Sequence, residues 1–414
     1  RLYVLLQNRA PDKAGLDYWV AQLATGVLNM NDAAASIYAQ CAFVTQGKST
    51  AEIAQTIYQS VLGRSDGVDE ASLKRALDAV PNDVRARSAV LLTEMGKIIA
   101  DSSTDLDHLA AQQLFNNRVN LALFYSIGLG GNSDTTATAL NNQITLADPF
   151  SAMRAAQSNL DAHNQNRLAI ARMYVLLFNR APETTGFAYW LKDREQLNHS
   201  LEEILGGFLH QTSLENISNE ALVKRIYTDT LGVAVPSNDP WLARLNQVGQ
   251  TGNTETKQQV FQLWLDSLTG APSSDPVQLA QQNLFLLKTA ASLSYVALGG
   301  DESGAANVLS AAALDMAAIK ATQAALTARG ASPASSTSPA QVAAAVSMAS
   351  AALNLAASAA ALASAKAQAM VGGADVATAE RNAAAALETW KLAVTAKTNA
   401  DEKANIANIE NSVF

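Results

Sequence analysis

The sequence predicts an all-α fold in which duplicated helical modules, two units of about 170 residues, precede an Ala-rich helical bundle or hairpin. Composition is the first reason. Apolar residues make up 49% of the chain but aromatic residues only 6%, because alanine, the strongest helix former, is so common. Periodicity is the second: apolar residues recur at helical spacing, and we find no alternating run that predicts a strand.

Repetition is the third reason. The chain opens with LYVLLQNRAPDKAGLDYW and later returns to this stretch as MYVLLFNRAPETTGFAYW. Tyr3 and Trp19 recur as Tyr174 and Trp190, both at an offset of 171 (174 minus 3, 190 minus 19). Further stretches return in the same order, IYQSVLG as IYTDTLG and LAAQQLFNNRVNLALFYSIGLGG as LAQQNLFLLKTAASLSYVALGG. We interpret these matches as the duplication of one unit.

The matches divide the chain into three predicted regions: residues 1–161 form the first repeat unit, 162–301 the second, and 302–414 the Ala-rich helical region. Each repeat unit contains a second, degenerate copy of its opening motif, which predicts two helical modules and a longer helical hairpin per unit. Modular helical folds present faces to partners. Small side chains let the helices of the third region pack closely, within one chain or between chains.

The repeated motif predicts a helix, a turn and a second helix. Proline cannot continue the first helix, and the acidic residue beside it complements the positive end of the second. In the second helix, Leu16, Trp19 and Leu23 share one stripe. The motif residues are Arg9, Pro11, Asp12, Gly15 and Trp19 in the first unit and Arg180, Pro182, Glu183, Gly186 and Trp190 in the second.

Two roles are open for this motif. In the structural role, the arginine ties the helix ends across the turn, with a cation–π contact, and the tryptophan anchors the core. In the binding role, the aromatic rings form a platform for sugar rings. Because Trp19 shares its stripe with two leucines, we favour the structural role. Tyr18 and Tyr189, one step off that stripe, are the candidates for a surface contact.

The chain carries none of the sequence patterns typical of catalysis. No GxSxG, GxxxxGK[ST] or GxGxxG pattern is present, and the four histidines never form an HExxH pair. The single cysteine, Cys41, excludes an internal disulfide framework. We therefore predict a protein that is not an enzyme, with no catalytic residues and no cofactor apart from a possible calcium ion.

Acidic turns are the possible calcium sites, because Ca²⁺ prefers several oxygen ligands from a loop. The alternative is helix capping, the ordinary role of acidic residues in turns. Two glycine pairs, at residues 130–131 and 299–300, precede some of these turns and are predicted to end helices with a positive φ. The calcium candidates are Asp66, Asp69, Glu70, Asp134, Asp301 and Glu302.

Charge and hydropathy restrict the partners. The formal net charge is -8 and no Lys/Arg cluster occurs, so nucleic acid is not an expected partner. The longest uncharged stretch, SPAQVAAAVSMASAALNLAASAAALASA, is mostly alanine and serine, so no transmembrane segment is expected.

The stretches LYVLLQNRAPDKAGLDYW and MYVLLFNRAPETTGFAYW resemble the signature of the domain of unknown function 4214 family: a tyrosine, a Gly-Arg-Ala-Pro-Asp turn and a Gly-x-x-Tyr-Trp helix. Both copies carry asparagine, Asn8 and Asn179, where glycine is usual, and the second has Glu183 in place of aspartate. The resemblance implies a helical module of bacterial secreted and surface proteins, often beside calcium-binding repeats exported by type I secretion and distantly similar to phycobilisome linkers. It implies no catalytic residues.

The leading functional hypothesis is an extracellular or cell-surface bacterial structural protein, a component of a surface layer, sheath, filament or matrix. Such a protein self-associates or binds another surface protein, and tandem copies of one face suit head-to-tail or lattice contacts. Two alternatives stay open: a glycan-binding adhesin module that uses Tyr18 and Tyr189, and an accessory domain of a type I-secreted enzyme. Because the chain begins inside a motif, we expect it to be a fragment.

Overall fold

The computed structural model describes residues 1–63, 68–100, 106–211 and 214–330, together with Arg381 and Ala385. Across these ranges every regular element is a helix and none is a strand, which confirms the all-α class. The chain divides into two compact units. Unit 1 comprises Arg1–Ala156 and the described residues from Leu314 onward, and unit 2 comprises Gln157–Ala313.

The unit borders differ from the predicted region borders. Unit 2 ends at Ala313, beyond the predicted end at residue 301. The first residues of the predicted Ala-rich region complete unit 2, since the Ala181 N–H donates to the Ala305 carbonyl at 2.9 Å and Ala305 is fully buried. The Ala-rich helices predicted beyond residue 330 lie outside the described residues, apart from Arg381 and Ala385.

Unit 1 is built from short and medium helices. They are α1 Leu2–Gln7, α2 Lys13–Ala24, α3 Met30–Ala39, α4 Ala42–Thr45, α5 Thr50–Gln55, α6 Val68–Asp78, α7 Val84–Ala100, α8 Leu106–Leu123, α9 Asp134–Gln143 and α10 Ser151–Ala155. Helices α5 and α8 each continue into a wider π-helical turn, at Thr56–Val61 and Phe124–Gly128. Helix α3 packs against α7, α5 against α6, and α8 against α9.

Unit 2 follows a similar plan with longer helices. They are α11 Ala162–Phe178, α12 Thr184–Glu195, α13 Leu201–Gln211, a 3₁₀ turn Leu214–Asn216, α14 Asn219–Arg225, α15 Pro240–Gln247, α16 Lys257–Thr269, α17 Pro276–Ala297 and the start of α18 Glu302–Gly330. A π-helical turn, Ile226–Thr230, again follows a helix, here α14. Helix α11 packs against α12 and α17, around a core that contains Phe261, Trp264 and Phe285.

Local capping explains where several helices begin. Ser49 and Glu52 form a reciprocal capping box at the start of α5. At α17, the Asp275 side chain accepts a hydrogen bond from the Gln278 N–H at 2.8 Å, and Pro276 occupies the first helical position. These side chains satisfy backbone N–H groups that have no partner within the helix.

Both glycine pairs follow a helix end, but only the first glycine of each pair has the predicted positive φ, 67° at Gly130 and 83° at Gly299. The second glycine is required for space. A Cβ at Gly131 or Gly300 would lie 2.3 or 2.2 Å from the ring of a nearby tyrosine. Close approach of an aromatic ring, and not backbone torsion, therefore explains the second glycine.

Gly131→Ala is expected to destabilise unit 1 by about 1–3 kcal/mol, the usual cost of overpacking. The added methyl group would collide with the Tyr125 ring, whose hydroxyl donates to the Ser133 carbonyl and accepts from the Ser133 N–H, both at 3.0 Å. Urea unfolding measures the loss. Gly96→Ala is the control, because a Cβ at this exposed position in α7 meets nothing within 4 Å. Equal unfolding midpoints for the two variants would contradict the packing argument.

Among the described residues, no helix combines the length and the apolar character needed to span a membrane. The long uncharged stretch noted in the sequence lies outside the described residues.

Candidate functional site

The motif turn begins with a left-handed asparagine in both units. Helix α1 is followed by Asn8 (φ 48°) and α11 by Asn179 (φ 46°). Asparagine adopts this conformation more readily than most residues with a side chain, so it can stand where glycine would otherwise be needed. At the other end of the turn in unit 1, Asp12 caps α2 by accepting a hydrogen bond from the Gly15 N–H at 2.7 Å.

The motif arginine of each unit lies over a tyrosine ring. The Arg9 guanidinium carbon is 5.2 Å from the ring centre of Tyr3, and that of Arg180 is 5.3 Å from the ring centre of Tyr174. The cation–π contact is thus made with the tyrosine that opens the motif.

The two arginines have different acidic partners. Arg9 binds the Asp134 carboxylate at 2.7 Å and lies 3.9 Å from that of Asp12. Arg180 forms its ion pair with Glu183, whose side chain makes no cap on α12. Arg9 therefore connects its turn to the start of α9 in unit 1. Arg180 instead pairs with an acidic residue of its own turn in unit 2. Asp134, a calcium candidate, is engaged in this ion pair.

The motif tryptophan belongs to the core of each unit. Trp19 is 8% exposed and donates from Nε1 to the Tyr3 hydroxyl at 2.9 Å. Trp190 is 6% exposed and stacks on Phe208, with 4.5 Å between the ring centres. A Cβ at Gly207 would lie 2.7 Å from the Trp190 ring, so glycine at that point of α13 makes room for the indole.

The prolines and glycines of the motif take part in the same packing. Pro11 and Pro182 are both buried. A Cβ would lie 3.0 Å from the hydroxyl of the motif tyrosine at Gly15 and 2.7 Å from it at Gly186. Glycine at this position lets the second helix approach the tyrosine closely.

The motif turn is joined to the glycine-pair turn in each unit. The Lys13 N–H donates to the Gly131 carbonyl at 2.8 Å, and the Thr184 N–H donates to the Gly300 carbonyl at 2.9 Å. Equivalent contacts thus recur in the two units. The duplication itself stays a prediction.

The two candidate contact residues are exposed in both units. Tyr18 and Tyr189 are each 54% exposed. Each ring meets the edge of the neighbouring motif tryptophan, with 5.0 Å between ring centres and interplanar angles of 78° and 81°. In both units, a surface tyrosine therefore packs against a buried tryptophan.

The remaining calcium candidates that the structure describes lie at helix starts. Asp66 lies outside the described residues, as does the side chain of Asp69, while Glu70 lies in the first turn of α6. Asp301 acts as a cap, since its carboxylate accepts a hydrogen bond from the Gly304 N–H at 3.0 Å. Glu302 is exposed in the first turn of α18.

Within the part of the chain that the structure describes, no group of three or more His, Cys, Asp or Glu side chains is placed to share a metal ion. Calcium binding stays a prediction.

Unit 2 contains an aromatic cavity beside the motif, with a volume of about 270 Å³. Its lining residues are Tyr174, Phe178, Arg180, Glu183, Gly186, Tyr189, Trp190 and Phe208. The rings contact one another: Phe178 and Phe208 are stacked with 5.4 Å between centres, and Tyr174 meets Phe208 edge-on at 4.9 Å. The cavity floor is fixed by this mutual packing.

The two units differ at the cavity walls. Subtracting the repeat offset of 171 from Phe178 and Phe208 gives Gln7 and Ile37 in unit 1. There the Gln7 side chain donates from Nε2 to the Ile37 carbonyl at 3.3 Å. Inside the motif, NRAP is preceded by Gln7 in unit 1 and by Phe178 in unit 2. The sequence did not identify Phe178 and Phe208 as site residues, because α13 packs against α11 only in the folded chain.

A buried cation in each unit was also missed by the sequence analysis. Lys288 in α17 donates from Nζ to the Asn179 side chain at 2.7 Å and to the carbonyls of Asp229 and Thr230 at 2.9 and 2.8 Å. At the matching position of unit 1 (288 minus 170), Arg118 donates to the Asn8 side chain and to two carbonyls of the π-helical turn after α5. The signal in the sequence was a basic residue, Arg118 or Lys288, at matching positions of two long, largely apolar stretches.

The backbone explains why these cations are buried among carbonyls. Carbonyls at the end of a π-helical turn lack a helical partner, and the left-handed asparagine directs its side chain to the same place. Burial lowers the pKa of Lys288 to about 8 and that of Arg118 to about 10. The cation thus joins the motif turn, the π-helical turn and the long hairpin helix of each unit.

Comparison of the chain with family models, with curated proteins and with solved structures gives no match. The resemblance to the domain of unknown function 4214 family stays a prediction.

Proposed function

We propose that this chain is a non-enzymatic assembly protein whose two units each present an equivalent contact face. The observation that carries the proposal is the matched pair of tyrosines, Tyr18 and Tyr189, which have the same exposure and the same edge-on contact with a buried tryptophan. Tyrosine is enriched at protein interfaces because it offers a large contact area at low conformational-entropy cost.

Two such faces on one chain allow open-ended growth. If each face pairs with such a face on a neighbouring molecule, a chain with two faces grows into rings or filaments, whereas a chain with one face stops at a dimer. The location that fits this role is the bacterial cell surface or the extracellular space, as a surface layer, sheath, filament or matrix component. This location rests on the family resemblance, as does a contribution of calcium to assembly.

Sedimentation velocity and electron microscopy test the proposal with the wild-type chain, Tyr18→Ala, Tyr189→Ala and the double variant. We expect concentration-dependent arrays or filaments for the wild type. Each single variant retains one working face and stops at small oligomers, and the double variant is monomeric. Loss of a central interface tyrosine weakens a contact by about 2 kcal/mol.

Val277→Ala is the matched control, because this valine is 59% exposed in unit 2 but lies outside the motif. It should assemble like the wild type. The proposal fails if the wild-type chain stays a dispersed monomer at high concentration, both with calcium and after chelation.

A further inference from the structure

The geometry points to the aromatic cavity of unit 2 as a binding site for the neutral pyranose ring of a carbohydrate, a site that unit 1 does not share. This inference goes beyond the assembly function and stands independently of it. The sequence left open a sugar-binding role for both Tyr18 and Tyr189. This inference assigns that role to Tyr189 alone.

Shape is the first argument. The cavity of about 270 Å³ has a floor of buried rings, Tyr174, Trp190 and Phe208, and a more accessible rim that includes Tyr189. The floor rings are covered by one another, so the exposed ring of Tyr189 is the surface that suits the C–H face of a sugar ring, and a rigid ring loses little entropy on binding. The floor is already ordered by ring stacking, which makes the site preformed.

Charge selects the ligand class. A box of aromatic rings ordinarily suits an organic cation. Here the Arg180 guanidinium already covers the faces of Tyr174 and Phe178, at 5.3 and 5.9 Å from the ring centres, so a second cation would be repelled. Glu183 is ion-paired with Arg180 at the same rim, so the pair carries no net charge that would hold an anion. A neutral ligand is the class that remains.

Hydrogen-bonding capacity favours a polyhydroxylated ligand. Arginine offers five N–H donors and a carboxylate offers only acceptors, whereas a hydroxyl group both donates and accepts. In the described structure, the hydrogen bonds of Arg180 to Ala181 and Glu183 use Nη1. Adjacent sugar hydroxyls can therefore bridge the remaining guanidinium donors and the Glu183 carboxylate, while the ring lies against Tyr189.

Unit 1 lacks the matching walls. Gln7 and Ile37 replace the two stacked phenylalanines, and Gln7 is hydrogen-bonded to the Ile37 backbone. The acidic motif residue of unit 1, Asp12, caps α2 and lies 3.9 Å from Arg9, a longer contact than the Arg180–Glu183 ion pair of unit 2. The equally exposed Tyr18 is therefore an internal control for Tyr189.

Saturation-transfer NMR with the full chain tests the inference. The probes are the methyl glycosides of glucose, galactose, mannose and N-acetylglucosamine at millimolar concentration, with tetramethylammonium as the cation probe. We expect saturation of the ring protons of at least one glycoside. Tyr189→Ala and Phe178→Gln, which installs the residue of unit 1, should each weaken binding at least tenfold, while Tyr18→Ala should leave it unchanged.

The outcomes separate this inference from the assembly function. Phe178→Gln should lose sugar binding but assemble normally, because Phe178 is not part of the proposed assembly faces. The inference is overturned if no glycoside receives saturation, if Tyr18→Ala weakens binding as much as Tyr189→Ala, or if tetramethylammonium binds and displaces the glycoside. Far-UV circular dichroism and urea midpoints establish that each variant is folded.

Discussion

Trp190→Ala will lower the free energy of unfolding of unit 2 by about 3–5 kcal/mol, the usual cost of removing a buried tryptophan. The side chain is 6% exposed, stacks on Phe208 and fills the space left by Gly207 in α13. Its removal leaves a cavity between α12 and α13 that the stacked rings cannot close without losing their own contacts. Urea unfolding followed by circular dichroism measures the loss.

The neighbouring Tyr189→Ala is the control for this prediction, because its side chain is mostly exposed. We expect its unfolding midpoint within about 0.5 kcal/mol of the wild type, as for most surface substitutions. If the two variants unfold at the same urea concentration, the tryptophan is not the anchor of this unit, and the structural role of the motif must be abandoned.

The stability of unit 2 will rise between pH 8 and pH 9.5 because of Lys288. Burial lowers its pKa from an ordinary value of 10.5 to about 8, so the folded chain releases this proton before the unfolded chain does. Over this range the unfolded chain binds more protons, and stability therefore increases with pH, by about 2 kcal/mol for this single group.

The comparison with Lys288→Met isolates this contribution from other titrating groups. Burial also raises the pKa of Tyr174 and Tyr227, which lowers stability at higher pH, but both tyrosines are present in the wild type and in the variant. The unfolding free energy of the wild type should therefore rise relative to that of Lys288→Met as the pH rises. Arg118→Met is the control, because burial lowers the pKa of Arg118 only to about 10, above the range from pH 8 to pH 9.5. A difference that is constant with pH for Lys288→Met would show that the lysine keeps an ordinary pKa in the folded chain.

The all-α class was predictable because it depends on local preferences. Alanine abundance and helical periodicity act within single helices, and the cap at Asp12 and the prolines at Pro240 and Pro276 mark helix starts in the sequence itself. The stripe of Leu16, Trp19 and Leu23 indicated the inward face of α2 for the same reason, with Trp19 buried and the two leucines half-buried. A residue one step off such a stripe points away from the core, and Tyr18 is exposed accordingly.

Contacts that depend on how side chains pack were not predictable from the sequence. The second glycine of each pair looked like a torsional requirement, but the Tyr125 and Tyr295 rings that lie against Gly131 and Gly300 explain it. The region border placed at residue 301 was likewise based on composition. It missed that Ala305 completes unit 2 by binding the turn at Ala181.

The sequence by itself determined the helices, their caps and the repeated turn, because each depends on residues within a few positions of one another. Only the tertiary structure decided which side chains share a site. The two phenylalanines of the cavity come from α11 and α13, and Lys288 reaches a turn 109 positions away at Asn179. Such contacts are set by how helices pack, and packing depends on the shapes of all the buried side chains together.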